Sequence, residues 1–370
     1  MKLRTPALQA AVLLALSPIT YAEDTPPPTR LQEAGQLAAK GDMEGAIKIL
    51  KAEAEAGNAE AANGLGEIIL GSKSKNNRVE ALVWFQKAAE QSNPAGMFNA
   101  ALILYQGGEG ITKDEDRGMF LLKASAEAGY AQAQYQLGNL LDAEATKNDK
   151  PAGYADAIVW YEKAALQNHA AALYTVSRYY ELGMGGKPQD LLQSTDYCGR
   201  AARAGSVIAL NEFGVRLQKG QGIAKDEIAA SGYLHLAAQY GMAAAQTNLG
   251  NAYEAGIGVR QDYNQAGVYY AAAAKQNFAA AEFLLAQMFE RGMGTDVNYS
   301  KAYILYGRAA AGKIEDAAKR MEAIKPKLTE NEITAAEKAI AEETKKLQPA
   351  EKPADKPAAA PEKPKDGAEK

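Results

Sequence analysis

The sequence predicts an all-α fold, an α-solenoid in which about eight helix-turn-helix units stack as a superhelix. Three observations carry this. An alanine recurs at Ala54, Ala89, Ala126, Ala165, Ala202, Ala238, Ala274 and Ala310, at spacings of 35 to 39 residues that settle at 36 over the last three steps. Between Met242 and Phe278, apolar residues fall three and four apart on two successive faces. Ala245, Leu249, Ala252 and Tyr253 form the first face, and Ala266, Tyr269, Tyr270 and Ala273 the second, which is the period of amphipathic helices. A Gly-x-Gly also returns between helices, at Gly108/Gly110, Gly183/Gly185, Gly220/Gly222, Gly256/Gly258 and Gly292/Gly294. One such hairpin cannot bury both faces alone, so it exists as a unit of a stack.

Taken in order, residues 1–22 have the design of a signal peptide. Lys2 and Arg4 precede a short apolar stretch, Ala7 to Leu16, and Thr20-Tyr21-Ala22 supplies small residues at a cleavage position. Cleavage is expected after Ala22, with no cysteine following to accept lipid and no later membrane span. Residues 23–30 form a proline-rich lead-in. The stack, residues 31–313, opens on a shortened unit, Leu31 to Asn58, suited to a polar end cap. In the second unit a lysine- and asparagine-rich loop, Gly71 to Asn77, replaces the Gly-x-Gly; in the fourth, Asp142 to Tyr154 reads as a longer loop. Units five to eight keep the pattern closely. Residues 314–347 hold capping helices, the last opened by a capping box at Thr329–Glu332 and facing the final unit with Ile333, Ala336, Ile340 and Leu347. Residues 348–370 carry five prolines, five lysines and five acidic residues and read as a disordered tail.

Spacing alone fits several helical repeat classes. The residue types narrow the choice: Leu249-Gly250, Tyr253, Gly256, Gly258, Val259, Asp262, Ala266, Tyr269, Tyr270, Ala273 and Ala274, with Trp84-Phe85 and Trp160-Tyr161 repeating the second half. On these residues the chain resembles the Sel1-like repeat family, a relative of the tetratricopeptide repeats, over about residues 31–347. The resemblance implies an exported bacterial member acting as an adaptor or assembly platform. Many exported members carry a disulfide in each repeat. This chain has a single cysteine, Cys198, at an aromatic core position, so packing alone must hold it, and Cys198 reads as a small buried apolar residue.

Composition excludes several functions. With 41 basic and 45 acidic residues interleaved and a pI near 5.6, no phosphate-neutralising stripe is visible, and nucleic acid is not an expected partner. Two histidines, His169 and His235, stand in separate repeats; neither has partners at metal-ligand spacing, and solvent exposure explains His169 at a helix exit. The Gly-x-Gly loops follow helices rather than strands and lack a phosphate-binding context. Ser72-Lys73-Ser74-Lys75 matches the S-x-x-K string of penicillin-recognising enzymes, but the S-D-N and K-T-G companions are missing. It supports only the alternative of a β-lactamase-like or cell-wall-active hydrolase. No catalytic residue, metal or cofactor is assigned. Tyr105, Tyr161, Tyr197, Tyr233, Tyr253, Tyr269, Tyr270 and Tyr306 lie on repeat core positions.

Function is therefore sought on the surface that the stack creates. The first helices of successive units are expected to line a concave groove, where a partner protein or peptide, from the envelope or a host, would bind a noncatalytic scaffold in the periplasm or outside the cell. Gln136, Asn139, Arg178, Glu212, Arg216, Asn248, Asn251 and Gln287, polar residues near the Leu-Gly position, are the candidate lining. A monomer is expected, with self-association as the structural alternative.

Overall fold

The computed structural model describes residues 29–72, 76–108, 110–148, 150 and 152–347. The readings of the signal segment, of the lead-in up to residue 28, of Lys73 to Lys75 and of the tail from 348 fall outside this set. Among the described residues are eighteen α-helices and one 3₁₀ turn, Lys325–Lys327. Pairs follow in chain order: α1 (Arg30–Ala39) with α2 (Met43–Glu55), α3 (Ala59–Gly71) with α4 (Asn77–Glu90), α5 (Pro94–Gln106) with α6 (Glu115–Glu127) and α7 (Ala131–Lys147) with α8 (Gly153–Leu166). Then come α9 (Ala170–Leu182) with α10 (Leu191–Arg203), α11 (Val207–Lys219) with α12 (Glu227–Gln239), α13 (Ala243–Ala255) with α14 (Tyr263–Ala274) and α15 (Ala279–Arg291) with α16 (Tyr299–Ala311). The chain ends in α17 (Glu315–Ile324) and α18 (Glu330–Leu347). Two compact units result, one of Met1–Ala209 with Gln221–Ile223, the other of Leu210–Gly220 with Ala224–Lys370.

The boundaries of the pairs follow from a few residue types. Asp114, Asp190, Asp226, Asp262 and Asn298 each stand at the N-cap of a second helix and accept the backbone N–H three residues on, at 2.9 to 3.1 Å. The first helices α9, α13 and α15 end on Gly183, Gly256 and Gly292 in the left-handed conformation, which lets the chain turn at once into the loop. The second glycine of the motif has a different reason. A Cβ on Gly222 would stand 2.5 Å from the Leu191 carbonyl oxygen, and one on Gly185 2.8 Å from that of Tyr154, so these loops close directly onto the preceding second helix.

Inside each pair, the second residue of the aromatic doublet on the second helix supplies the core. Phe85, Leu122, Tyr161, Cys198, Leu234, Tyr270 and Tyr306 are all buried, at 0 to 4% exposure, which bears out the small buried reading of Cys198. Opposite three of the larger members stands the glycine of the Leu-Gly position: a Cβ on Gly66, Gly138 or Gly250 would stand 2.5 to 2.7 Å from the Phe85, Tyr161 or Tyr270 ring. The first residue of the doublet is only half-buried in Tyr197, Tyr233 and Tyr269, and rings of this row stack instead across the pair, as Tyr253 does on Tyr269 with centroids 5.6 Å apart. Of the eight tyrosines expected in the core, Tyr161, Tyr270 and Tyr306 are fully enclosed; adjacent helix positions point about 100° apart, so a doublet cannot bury both rings equally.

One expectation is corrected. Asp142 to Lys147 is helical, not loop: with no glycine to stop it, α7 runs for 17 residues, and Ala145 packs against Gly153 of α8. The N-terminal pair α1–α2 is a helix hairpin whose short first helix buries only Ala34. At the other end, Ala317, Ile324 and Ala336 join Tyr303 and Tyr306 in one apolar cluster, with Ile340 packed against it. Thr329 and Glu332 exchange the two bonds of the expected capping box, Thr329 N to Glu332 Oε2 at 2.9 Å and Glu332 N to Thr329 Oγ1 at 3.3 Å. The Leu347 side chain lies outside the described residues. Arg308 of α16 binds Glu282 of α15 and Glu343 of α18, tying the terminal helix to the last pair.

Candidate functional site

The first helices supply the polar face on which a site was expected, and the structure divides its eight candidate residues by what they touch. Asn139 and Asn251 serve the interior: the Tyr161 hydroxyl donates to Asn139 Oδ1 at 2.9 Å, and the Tyr270 hydroxyl lies 2.7 Å from both Asn251 Oδ1 and Glu254 Oε2, which share its one proton. Burial first, and a neighbouring carboxylate second, push these two phenols far above the ordinary tyrosine pKa, so they remain neutral donors. Arg178 pairs with Glu181 one turn on. Arg216 is only 3% exposed, and its guanidinium binds Glu212 at 2.6 Å along α11. It belongs to the packing, not to an accessible lining. Asn248 Nδ2 donates to Asn211 Oδ1 at 2.9 Å, and Gln136 and Gln287 are half-buried on α7 and α15. Gln136, Asn139 and Arg178 lie in the first compact unit and the other five in the second, so the eight are not gathered in one compact unit.

A cluster outside that set has more definite geometry. On α3 and α5, Asn63 Nδ2 donates to Glu67 Oε1 at 3.0 Å, Asn99 Nδ2 donates to the same oxygen at 3.4 Å and to Asn63 Oδ1 at 2.9 Å. Asn63 is 9% exposed and Glu67 half-buried. The signal was present in the sequence. Asn99 occupies the register of Gln136 and Asn248, and Glu67 that of Asn139 and Asn251; carrying the same positions back to the second and third pairs reaches both.

The histidines prove to be structural. His169 is the N-cap of α9, half-buried rather than exposed, because the helix exit of one repeat is also the entrance of the next. Its Nδ1 accepts from the Ala172 backbone N–H at 3.2 Å, which leaves the proton on Nε2, and Nε2 donates to Gln132 Oε1 at 2.7 Å. The ring lies 4.8 Å from that of Tyr135. Burial holds the His169 pKa below the ordinary imidazole value, so between the two values the unfolded chain binds the extra proton. Stability should therefore be complete above pH ~6.5 and fall as the pH drops below it, with the cap bond broken by protonation of Nδ1. Melting temperatures across that range should decline more steeply for the native chain than for His169→Asn, whose side chain keeps a cap without titrating. His235 shares hydrogen bonds with Gln239 and Tyr269.

Ser72 follows the last residue of α3 in extended backbone, and its carbonyl accepts from Asn77 Nδ2 at 2.9 Å. It is exposed at a helix end rather than set on a helix, and Lys75 falls outside the described residues. Among the described residues, no three His, Cys, Asp or Glu side chains converge to hold a metal ion, and no helix is long and apolar enough to cross a membrane.

With this geometry in place, comparison with known proteins is direct. The Sel1 repeat pattern matches residues 59–93, 94–130, 131–169, 170–206, 207–241, 243–278 and 279–313. That makes seven repeats, α3 to α16, rather than eight; the hairpin α1–α2 falls outside the matched residues. A protective antigen of uropathogenic Escherichia coli strains, displaying an SLR fold, superimposes with a TM-score of 0.68 at 26% identity, over 88% of this chain and 73% of that one. A Sel1 repeat protein from Oxalobacter formigenes does so with a TM-score of 0.53 at 23% identity, over 87% of this chain and all of the other. Among curated sequences, an F-box protein of Arabidopsis thaliana is 36% identical over 107 residues, 28% of this chain and 30% of that protein. Chitin synthase regulatory factor 3 of Schizosaccharomyces pombe is 27% identical over 205 residues, 52% of this chain and 21% of the other. The chain thus spans less than a third of either curated relative. With seven matched repeats covering most of its length, the chain belongs to the Sel1 repeat family.

Proposed function

We propose that the protein is a noncatalytic interaction scaffold that binds a partner protein or peptide along the polar face of its first helices. The observation that carries this reading is a division of labour within each pair. The aromatic doublets, glycines and N-cap residues are taken up by packing and turns, while Asn63, Glu67, Asn99 and Gln136 are polar residues of α3, α5 and α7 that belong to none of these groups. One matched relative is named a regulatory factor, which supports a regulatory rather than a catalytic role. A location in the bacterial envelope or outside the cell, after loss of residues 1–22, is supported by the character of that segment and by the antigenic status of the uropathogenic relative.

The test is a photo-cross-linking residue placed either at Gln136 on α7 or at Val159, 47% exposed on α8. A partner joined through position 136 and not through 159 is the expected result. Capture only through 159 would move binding to the second-helix side, and no adduct from either position would sink the scaffold reading.

A further inference from the structure

Among the described residues, the half-buried N-cap carboxylates Asp190 and Asp262 accept a backbone N–H, and Glu53, Glu227 and Glu343 meet Arg30, Lys225 and Arg308. The remaining half-buried and buried carboxylates can be sorted by what they face. Glu162, Glu181, Glu212, Glu282 and Glu290 each meet a lysine or arginine, at Lys187, Arg178, Arg216, Arg308 and Arg320. Asp142 and Glu254 accept from the hydroxyls of Tyr179 and Tyr270. Glu67 has neither kind of partner among the described residues. Its Oε1 receives two neutral amides, Asn63 Nδ2 and Asn99 Nδ2, contributed by adjacent repeats. Those bonds fix how the carboxylate points, and no cation among the described residues pairs with it, so it can accept a charged donor from outside.

The arrangement is not something the stack requires. In the second unit Asn211 and Asn248 occupy the registers of Asn63 and Asn99 and bond at the same 2.9 Å, but Val215 stands where Glu67 does. The amide pair therefore forms without an acid, and the carboxylate on α3 is an addition to it. Tyr130, whose ring centroid is 5.5 Å from that of Phe98, lies within the field of Glu67: burial, and then the Glu67 charge, raise its phenol pKa. A carboxylate held in one orientation, with an aromatic ring in its field, suits an ammonium or guanidinium group better than any neutral ligand.

We infer that Glu67, held by Asn63 and Asn99, is the receptor for a lysine or arginine side chain of the partner. The inference rests on the scaffold reading above and gives it a specific anchor. Since the two amides come from successive repeats, the anchor exists only where α3 and α5 are stacked in register.

The test uses the full chain. Peptides of about a dozen residues are selected from a random displayed library on the immobilised protein, and each basic residue of a selected peptide is replaced in turn, lysine by norleucine and arginine by citrulline. Affinities are measured by fluorescence anisotropy against the native chain and against Glu67→Gln, which keeps the shape and an acceptor oxygen. One replacement should weaken binding to the native chain by about tenfold or more and leave binding to Glu67→Gln unchanged, the magnitude of a charge-assisted hydrogen bond. If every basic residue proves dispensable on the native chain, or its loss weakens both proteins equally, the anchor is overturned while peptide binding stands. If no peptide is retained at all, the scaffold reading and the anchor fall together.

Discussion

Truncating Tyr270 to alanine is expected to destabilise the second unit by about 3 to 5 kcal/mol, the range for removing a fully enclosed ring. Tyr270 has no exposed surface, and its ring fills the space left by Gly250, where even one added carbon would stand 2.5 Å away. Truncation leaves a cavity that cannot collapse, because the glycine has no side chain to move in. It also strips the donor from Asn251 and Glu254. Tyr270→Phe separates the two effects: it keeps the ring and should cost only about 1 kcal/mol for the lost hydroxyl bonds. The neighbouring Tyr269→Ala is the internal control. That ring is half-buried and stacked on Tyr253, so its removal should cost well under half as much. The check is denaturant unfolding combined with hydrogen exchange over residues 243–278, since a repeat array can open locally. Equal losses for Tyr269→Ala and Tyr270→Ala would show that the doublet is not divided as described.

The doublet also shows what could be read in advance. Period, Gly-x-Gly loops and the residue types around Leu249-Gly250 specify helix pairs without ambiguity, because each is a local rule repeated every 36 or so residues. The interior partners of polar residues are not local. Asn139 and Gln136 lie on the same side of a helical wheel, yet Asn139 accepts the Tyr161 hydroxyl, a contact fixed by how α8 packs on α7 and not by the sequence of α7 alone. Arg216 likewise reads as a solvated cation until burial against its surroundings and its bond to Glu212 are seen. Asp142 to Lys147 failed for the opposite reason: an absent glycine is a weak signal, and the alanine-rich run simply continues the helix. Seven repeats emerged instead of eight: α1–α2 keeps the period, but its residues fall outside the matched pattern.

Replacing Gly258 with alanine should cost about 3 kcal/mol, although it adds a single methyl group in a surface loop. Two penalties combine at this position. Gly258 has φ +67°, a left-handed conformation that costs a residue with a Cβ about 1 kcal/mol or more. The added carbon would also run into the Glu227 carbonyl of α12 and stand 2.5 Å from Ser231 Oγ, and backbone cannot move aside as a side-chain tip can. The Ser231 hydroxyl shares its one proton between the carbonyls of Glu227 and Ile257, so pushing the loop outward breaks the contact that joins it to the preceding repeat. Gly256→Ala isolates the first penalty. Gly256 has φ +71°, but its Cβ would meet Gln261 no closer than 3.3 Å, and the expected loss is about 1 kcal/mol. Unfolding midpoints of the two variants should therefore differ clearly, with hydrogen exchange accelerated at the start of α12 only in Gly258→Ala. Matching losses would mean that conformation alone explains both glycines, and that the second glycine of each motif is not the staple between successive repeats.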